Sequence, residues 1–223
     1  MNEKIRIMPE YSAQGIKKQV SPLLSFAIQK SNELLNQNKI INNPLIVEHG
    51  CGLLRNTKEL IKYYDKIILV DTEFQLKSLH NFEGNLLTIE QYVKTKWSRK
   101  NIIIMTNKEY INENNDVDII YSINVLDVTH PMIRKEIYKS FIKTMNRNTL
   151  LVVILSRNDS WTLRLCKNTN KYFDGYVFKN RDAYTFYKNW NGNTLHKDLE
   201  KRGFKIINDF TNYKYVGLIL SKK

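Results

Sequence analysis

The stretch from Leu45 to Glu73 constrains this chain most. A short apolar run, Leu45-Ile46-Val47, ends in Glu48-His49-Gly50-Cys51-Gly52; a helix-like segment follows, and a second apolar run, Ile67-Ile68-Leu69-Val70, closes on Asp71-Thr72-Glu73. Strand, glycine turn, helix and strand with a terminal acid, all within about thirty residues, is the pattern of a βαβ nucleotide-binding unit. Gly50 and Gly52 remove side chains where backbone must pass close to a ligand or adopt dihedrals that L-residues resist. Asp71, at the end of the second run, suits a ligand with ribose hydroxyls, because a carboxylate can accept two hydrogen bonds from a diol.

The turn also says which ribosylated ligand is favoured. No GxxxxGK[ST] phosphate loop occurs, and the full GxGxxG is absent: the position three after Gly52 is Arg55, and Leu54 stands where many such turns carry a further glycine. A pyrophosphate cradle is therefore disfavoured. Glu48 at the first strand's end would repel phosphate and attract a cation such as a sulfonium. Glu48-His49-Gly50-Cys51-Gly52 with Val70-Asp71 resembles motifs I and II of the class I S-adenosylmethionine-dependent methyltransferases. The resemblance implies an α/β, Rossmann-like seven-stranded, mostly parallel sheet with helices on both faces and a C-terminal antiparallel strand. It also implies S-adenosylmethionine as cofactor, held by Glu48, Gly50, Cys51, Gly52, Asp71 and Thr72, with the acid at Asp71 on the ribose.

The remaining chain fits around this unit. Apolar positions at Leu23, Leu24, Ala27, Ile28, Leu34 and Leu35 predict an amphipathic helix before the first strand; by resemblance the segment 1–44 forms a helical lid and brings Tyr11 to the pocket. Asn56 or Thr57 would cap the helix after the glycine turn. Asn101 to Thr106 reads as a strand, after which the family places an acid or amide against the adenine; Asn107 is the nearest match, with Glu109 close by. Asp116 to Leu126 resembles the fourth strand and motif IV, so Ser122 and Asn124 are expected at the cofactor. Reactive centres in open α/β sheets lie beyond the carboxyl ends of the strands, which makes Asp127 and His130 candidate base or orienting groups. Pro131 starts an amphipathic helix, and Thr149 to Ser156 is apolar on both faces, as a buried central strand must be.

From Arg157 to Asn193 the pattern changes to aromatics interleaved with cations. This segment reads as an insertion after the fifth strand, with Arg157, Trp161, Tyr184 and Tyr187 as candidate substrate contacts. Such residues can stack bases and neutralise phosphates, wall a pocket for a small aromatic acceptor, or simply pack the insertion onto the body. A helix capped by Thr194 and stopped by Gly203, then strands at Phe204 to Ile207 and Tyr215 to Leu220, complete the family pattern over 45–223.

Composition excludes some classes. The chain is 42% hydrophobic, too apolar for a mainly disordered protein. No run approaches the ~18 to 20 apolar residues of a membrane span, and Met1-Asn2-Glu3-Lys4 opens no apolar signal region. A cytoplasmic protein without membrane attachment is expected; two cysteines, Cys51 and Cys166, make no disulfide framework. The net charge of +13 suits an anionic partner. It also suits a lysine-rich coding bias, since the basic residues are scattered. A sulfonium donor needs no metal. The acceptor reads as a small molecule, with RNA or another nucleic acid as the alternative. The motifs of amino-directed and carbon-5 DNA methyltransferases are absent. A non-catalytic S-adenosylmethionine-binding protein of the same fold is the third reading.

Overall fold

The computed structural model describes the chain except residues 1–6, 13–17, 39–41, 114–115, 158–163, 165, 168, 170 and 181–182. A 3-10 turn at Pro9–Ser12 precedes helix α1 (Leu24–Asn38), and then β1 (Leu45–His49), α2 (Thr57–Leu60) and β2 (Lys66–Asp71) form the anticipated unit. Where the sequence pattern was weak the chain makes α3 (Glu73–Lys77), a small hairpin of β3 (His80–Phe82) and β4 (Asn85–Leu87), and α4 (Ile89–Lys96). Next come β5 (Asn101–Thr106), α5 (Asn107–Asn112), β6 (Ile119–Ile123), α6 (Pro131–Thr144) and β7 (Leu150–Ser156). A second hairpin region holds β8 (Lys171–Tyr172), β9 (Gly175–Asn180) and β10 (Ala183–Tyr187), and the chain ends with α7 (Gly192–Lys201), β11 (Phe204–Asp209) and β12 (Tyr215–Lys222).

The expected seven-stranded sheet is present, in the order β11-β12-β7-β6-β1-β2-β5. β1, β2, β5, β6 and β7 run parallel, and β12 pairs antiparallel with both β7 and β11. Alternating side chains build two cores. Ile46, Ile67, Leu69, Tyr121, Val152 and Ile154 face α1, α2 and α4 through Leu24, Ile28, Leu60 and Tyr92. Val47, Ile68, Val70, Ile120, Leu151 and Val153 face α5, α6 and α7 through Tyr110, Phe141 and Leu199. Burial on both faces is why these strands read as unbroken apolar runs. From β1 the chain moves outward to β2 and β5, then returns to lay β6 on the other side of β1. That reversal opens a crevice at the strands' carboxyl ends.

Helix α1 is a sheet-covering layer, with Leu24, Ala27, Ile28 and Leu35 buried in the first core. A buried chain of hydroxyls ties it down: Ser31 Oγ lies 2.9 Å from Tyr121 Oη, which lies 2.7 Å from Tyr64 Oη. Among the described residues of the N-terminal region, the Pro9–Ser12 turn reaches the crevice, and Met8 fastens it by donating to the Tyr184 carbonyl at 2.8 Å. β8, β9 and β10 form a separate antiparallel sheet that acts as a cap.

Two helix starts differ from expectation. α7 begins at Gly192, because Asn191 Oδ1 accepts the Thr194 amide at 2.8 Å and so caps the helix in place of Thr194. α2 lasts four residues and has no side-chain cap: Asn56 Oδ1 accepts the Ser21 amide instead, and the Thr57 hydroxyl turns to Glu48. Among the described residues no helix is long and apolar enough to cross a membrane.

Candidate functional site

A cleft of about 900 Å³ lies at the carboxyl ends of β1, β2, β5, β6 and β7, roofed by the cap and the Pro9–Ser12 turn. Its floor is the glycine turn. Gly50 has φ +76°, and a Cβ there would stand 2.4 Å from Val125 Cγ2, so this position needs both the conformation and the small size of glycine. Gly52 has φ +53°, and its amide donates to Asp71 Oδ2 at 2.7 Å. Leu54, where many such turns carry a further glycine, is also left-handed (φ +63°) and wholly buried. The strain of such a conformation costs about 1–3 kcal/mol, and burying a leucine returns about 1.5–3 kcal/mol. A leucine therefore holds the turn that glycine would otherwise make.

Asp71 is the polar centre of this half of the cleft. Besides Gly52 it accepts the Thr72 amide through Oδ1 at 2.8 Å. Burial pushes its carboxyl up to about 6, against the pull of those two amides. The Thr72 hydroxyl caps α3 through the Gln75 amide and donates to Glu10 Oε1 at 2.8 Å, which brings a second acid beside Asp71. Gln75 Nε2 donates to the Gly52 carbonyl at 3.3 Å. Asn107 opens α5 on the same wall, its Oδ1 buried without a hydrogen-bond partner.

The other half follows β6. Asn124 takes φ +55°, and its Oδ1 accepts both the amide (2.9 Å) and hydroxyl (3.0 Å) of Ser156, stitching β6 to β7 at their ends. The loop beyond delivers Asp127, 2% exposed, with Oδ1 unpartnered at the cleft wall. Burial raises its carboxyl to about 7, opposed by the charges of Arg55 and Arg134. The cap is bolted to this loop: the Lys188 amide donates to the Asp127 carbonyl at 2.7 Å, and Trp190 Nε1 to the Leu126 carbonyl at 3.3 Å.

The structure thus gathers Gly50, Cys51, Gly52, Asp71, Thr72, Asn107, Asn124, Asp127, Arg157 and Tyr187 around one cleft. Four other candidates lie off its wall. Glu48 shares the face of β1 that points toward α2, where the Thr57 hydroxyl donates to its carboxylate, and burial raises it to about 8. Ser122 is fully buried inside β6. His130 caps α6, its Nδ1 accepting the Met132 amide at 3.4 Å, and its ring packs on Phe173 and Phe186. Tyr184 is not on the lining; its backbone pairs with Lys179 in the cap and its carbonyl accepts the Met8 amide. Trp161 lies outside the described residues, as does the Tyr11 side chain. Sequence reasoning missed Glu10, His49, Arg55, Phe178, Thr185 and Tyr215 on the wall. His49, inside the glycine-turn motif, and Arg55, three residues past Gly52, stood at a motif without being singled out; the rest arrive through long-range packing. Among the described residues no cluster of His, Cys, Asp and Glu could hold a metal ion.

No family model matches the chain. The ribosomal RNA small subunit methyltransferase A of Mycoplasma capricolum subsp. capricolum is 32% identical over 94 residues, covering 37% of this chain and 34% of that protein. The chain therefore matches about a third of that relative's length. Among solved structures, magnesium protoporphyrin IX methyltransferase from Synechocystis PCC 6803, with S-adenosylhomocysteine bound, superposes with TM-score 0.57 at 12% identity over 93% of this chain and 90% of that one. The 1,6-didemethyltoxoflavin-N1-methyltransferase of Burkholderia thailandensis gives 0.59 at 12% identity over 88% and 78%. A protein from Pyrococcus horikoshii OT3 gives 0.59 at 14% identity over 97% of both chains. At these identities the likeness is one of fold: a Rossmann-like methyltransferase fold.

Proposed function

We propose that this chain, built on the Rossmann-like methyltransferase fold, is an S-adenosylmethionine-dependent methyltransferase acting on a small-molecule acceptor. The observation that carries the cofactor is Asp71. Two backbone amides fix its carboxylate at the cleft wall, and a carboxylate so held keeps lone pairs for a ribose diol. With its carboxyl at about 6, it is mostly ionised at neutral pH and a strong acceptor. The surroundings fit the same ligand: the turn is bare at Gly50 and Gly52, and the unpartnered Asn107 Oδ1 can accept a hydrogen bond donated by an adenine amino group. Several structures of similar fold were solved with the cofactor or its product bound.

Bound S-adenosylmethionine supplies an electrophilic methyl group, so the chain's task is chiefly alignment. On this reading Asn124 and Ser156 fix the end of β6, and Asp127 receives the proton that the acceptor sheds. Support for a small acceptor comes from the roof, where the cap and the Met8–Ser12 segment cover the cleft. An RNA acceptor is the second reading, favoured by the net charge of +13 and by the partial match to a ribosomal RNA methyltransferase.

Calorimetric titration with S-adenosylmethionine and S-adenosylhomocysteine tests the cofactor. The expected result is micromolar binding, weakened by ~1 to 2 kcal/mol in Asp71→Ala, the scale of a hydrogen bond to a charged group. Equal affinity in that variant removes Asp71 from the site. Failure of the native protein to bind either compound ends the reading, and binding without transfer to any acceptor leaves a non-catalytic binding protein.

A further inference from the structure

The acceptor half of the cleft has a composition of its own. Phe178 and Tyr187 line it from the cap, and Tyr213 and Tyr215 from the β11–β12 hairpin. Phe186, between Thr185 and Tyr187 on β10, turns its ring the other way and backs this wall: it is 1% exposed, packs on His130 and Arg134, and a Cβ on Gly175 would stand 2.4 Å from its Cζ. Set among these rings are two polar side chains more than nine-tenths buried, Asp127 and Thr185, each with an oxygen, Oδ1 and Oγ1, that has no hydrogen-bond partner. A buried acceptor left unsatisfied carries the penalty of its lost hydration, so both oxygens gain from a ligand that donates to them.

We infer that the acceptor is a flat aromatic ring carrying a primary amine, stacked among the cap and hairpin rings, with its N–H groups directed to Asp127 Oδ1 and Thr185 Oγ1. The inference rests on the methyltransferase reading and names its substrate class. Flat rings match aromatic walls better than flexible chains do, because stacking adds to burial at little entropic cost. An amine also matches the base available. Its nitrogen lone pair forms the new bond to the methyl carbon while the carbon–sulfur bond breaks, its electron pair staying on sulfur. The proton on the resulting ammonium then passes to the Asp127 carboxylate. A carboxylate suffices for that acid, whereas a phenol would have to be deprotonated first, near pH 10. Thr185 accepts the second N–H and fixes the nitrogen's orientation.

The test uses protein loaded with S-adenosylhomocysteine, titrated by fluorescence with 3-aminoquinoline and with quinoline, which has the same rings and no N–H. The expected result is a preference of about fivefold or more for the amine, as hydrogen bonds of this kind confer. That preference should fall toward unity in Asp127→Ala and by about half in Thr185→Val, a near-isosteric change that keeps the proposal testable if the first variant fails to fold. Equal affinity for the two compounds, no saturable binding of either, or a preference untouched by Thr185→Val would overturn the inference. Absence of S-adenosylhomocysteine binding in the first step would overturn the reading beneath it instead, so the two failures are distinct.

Discussion

Glu48 carries a motif position, yet its side chain belongs to the interior. Side chains alternate along a strand, and Glu48 shares parity with Ile46, which packs in the core beneath α1. Its neighbour His49 takes the opposite parity, packs edge-on against Phe141, and lines the cleft. Because β1 is buried on both faces, its sequence has no polar alternation from which to read which residue faces the ligand. The raised carboxyl of Glu48 has a measurable consequence. Its folded-state value of about 8 lies above the ordinary 4.5 of an exposed chain. Between those values the folded protein holds a proton that the unfolded chain has released, so stability falls as pH rises. The fall is on the order of 1 kcal/mol per pH unit and levels off above pH 8, where Glu48 ionises in the folded state too. Glu48→Gln keeps an oxygen for the Thr57 hydroxyl and removes the titration. Thermal melts should show the variant near parity with the native protein at pH 4.5, with an advantage that grows up to pH 8. A difference independent of pH would mean that Glu48 does not titrate with folding.

At the scale of elements, regular structure was legible and irregular structure was not. β5 was bounded correctly from Asn101 to Thr106, and Pro131 marked the first residue of α6, because apolar periodicity and proline act locally. The left-handed Leu54 was not legible, since its strain is offset by burial that only the folded core supplies. Nor could sequence show how the cap is held. Arg134 reads as one more cation on α6, but its guanidinium is buried and forks onto Asp174, Nη1 to Oδ2 at 2.8 Å and Nη2 to Oδ1 at 3.2 Å. Nη2 also donates to the Thr129 carbonyl at 3.0 Å. Lys188 Nζ reaches Asp174 Oδ2 at 2.6 Å and lies 3.4 Å from the Trp190 ring centroid, with the Arg134 guanidinium 5.0 Å from the same ring. Arg134→Ala should therefore loosen the cap. Allowing for the partial exposure of Asp174, the expected loss is on the order of 2 kcal/mol in urea unfolding, with new protease cleavage within 171–190. Unchanged stability and unchanged cleavage would show that the Arg134–Asp174 pair does not seat the cap, which then rests on the Lys188 and Trp190 hydrogen bonds and the aromatic contacts.

For the whole molecule, the unabsorbed feature is the charge: 35 Lys and Arg against 22 Asp and Glu. Several acids are already engaged in exposed helical pairs, such as Lys77–Glu73, Lys94–Glu90 and Lys139–Glu136, which leaves a surface field that draws anions of any kind. Attraction of that kind and recognition of an RNA acceptor respond differently to salt. An enzyme that must neutralise about 6–10 phosphates to reach its target base loses on the order of a thousandfold or more in affinity between 50 and 200 mM salt. An uncharged amine enters a capped cleft without displacing counterions. The expected outcome is therefore that kcat/KM for a small aromatic amine changes less than about threefold over that range, while any oligonucleotide binding falls steeply and does not compete with the amine. Methyl transfer to an oligonucleotide that tracks this fall, together with inhibition of amine methylation by the same strand, would assign the positive surface and the cleft to one nucleic-acid site. The cap would then be a guide for an extruded base, and the ribosomal RNA methyltransferase likeness would extend to function.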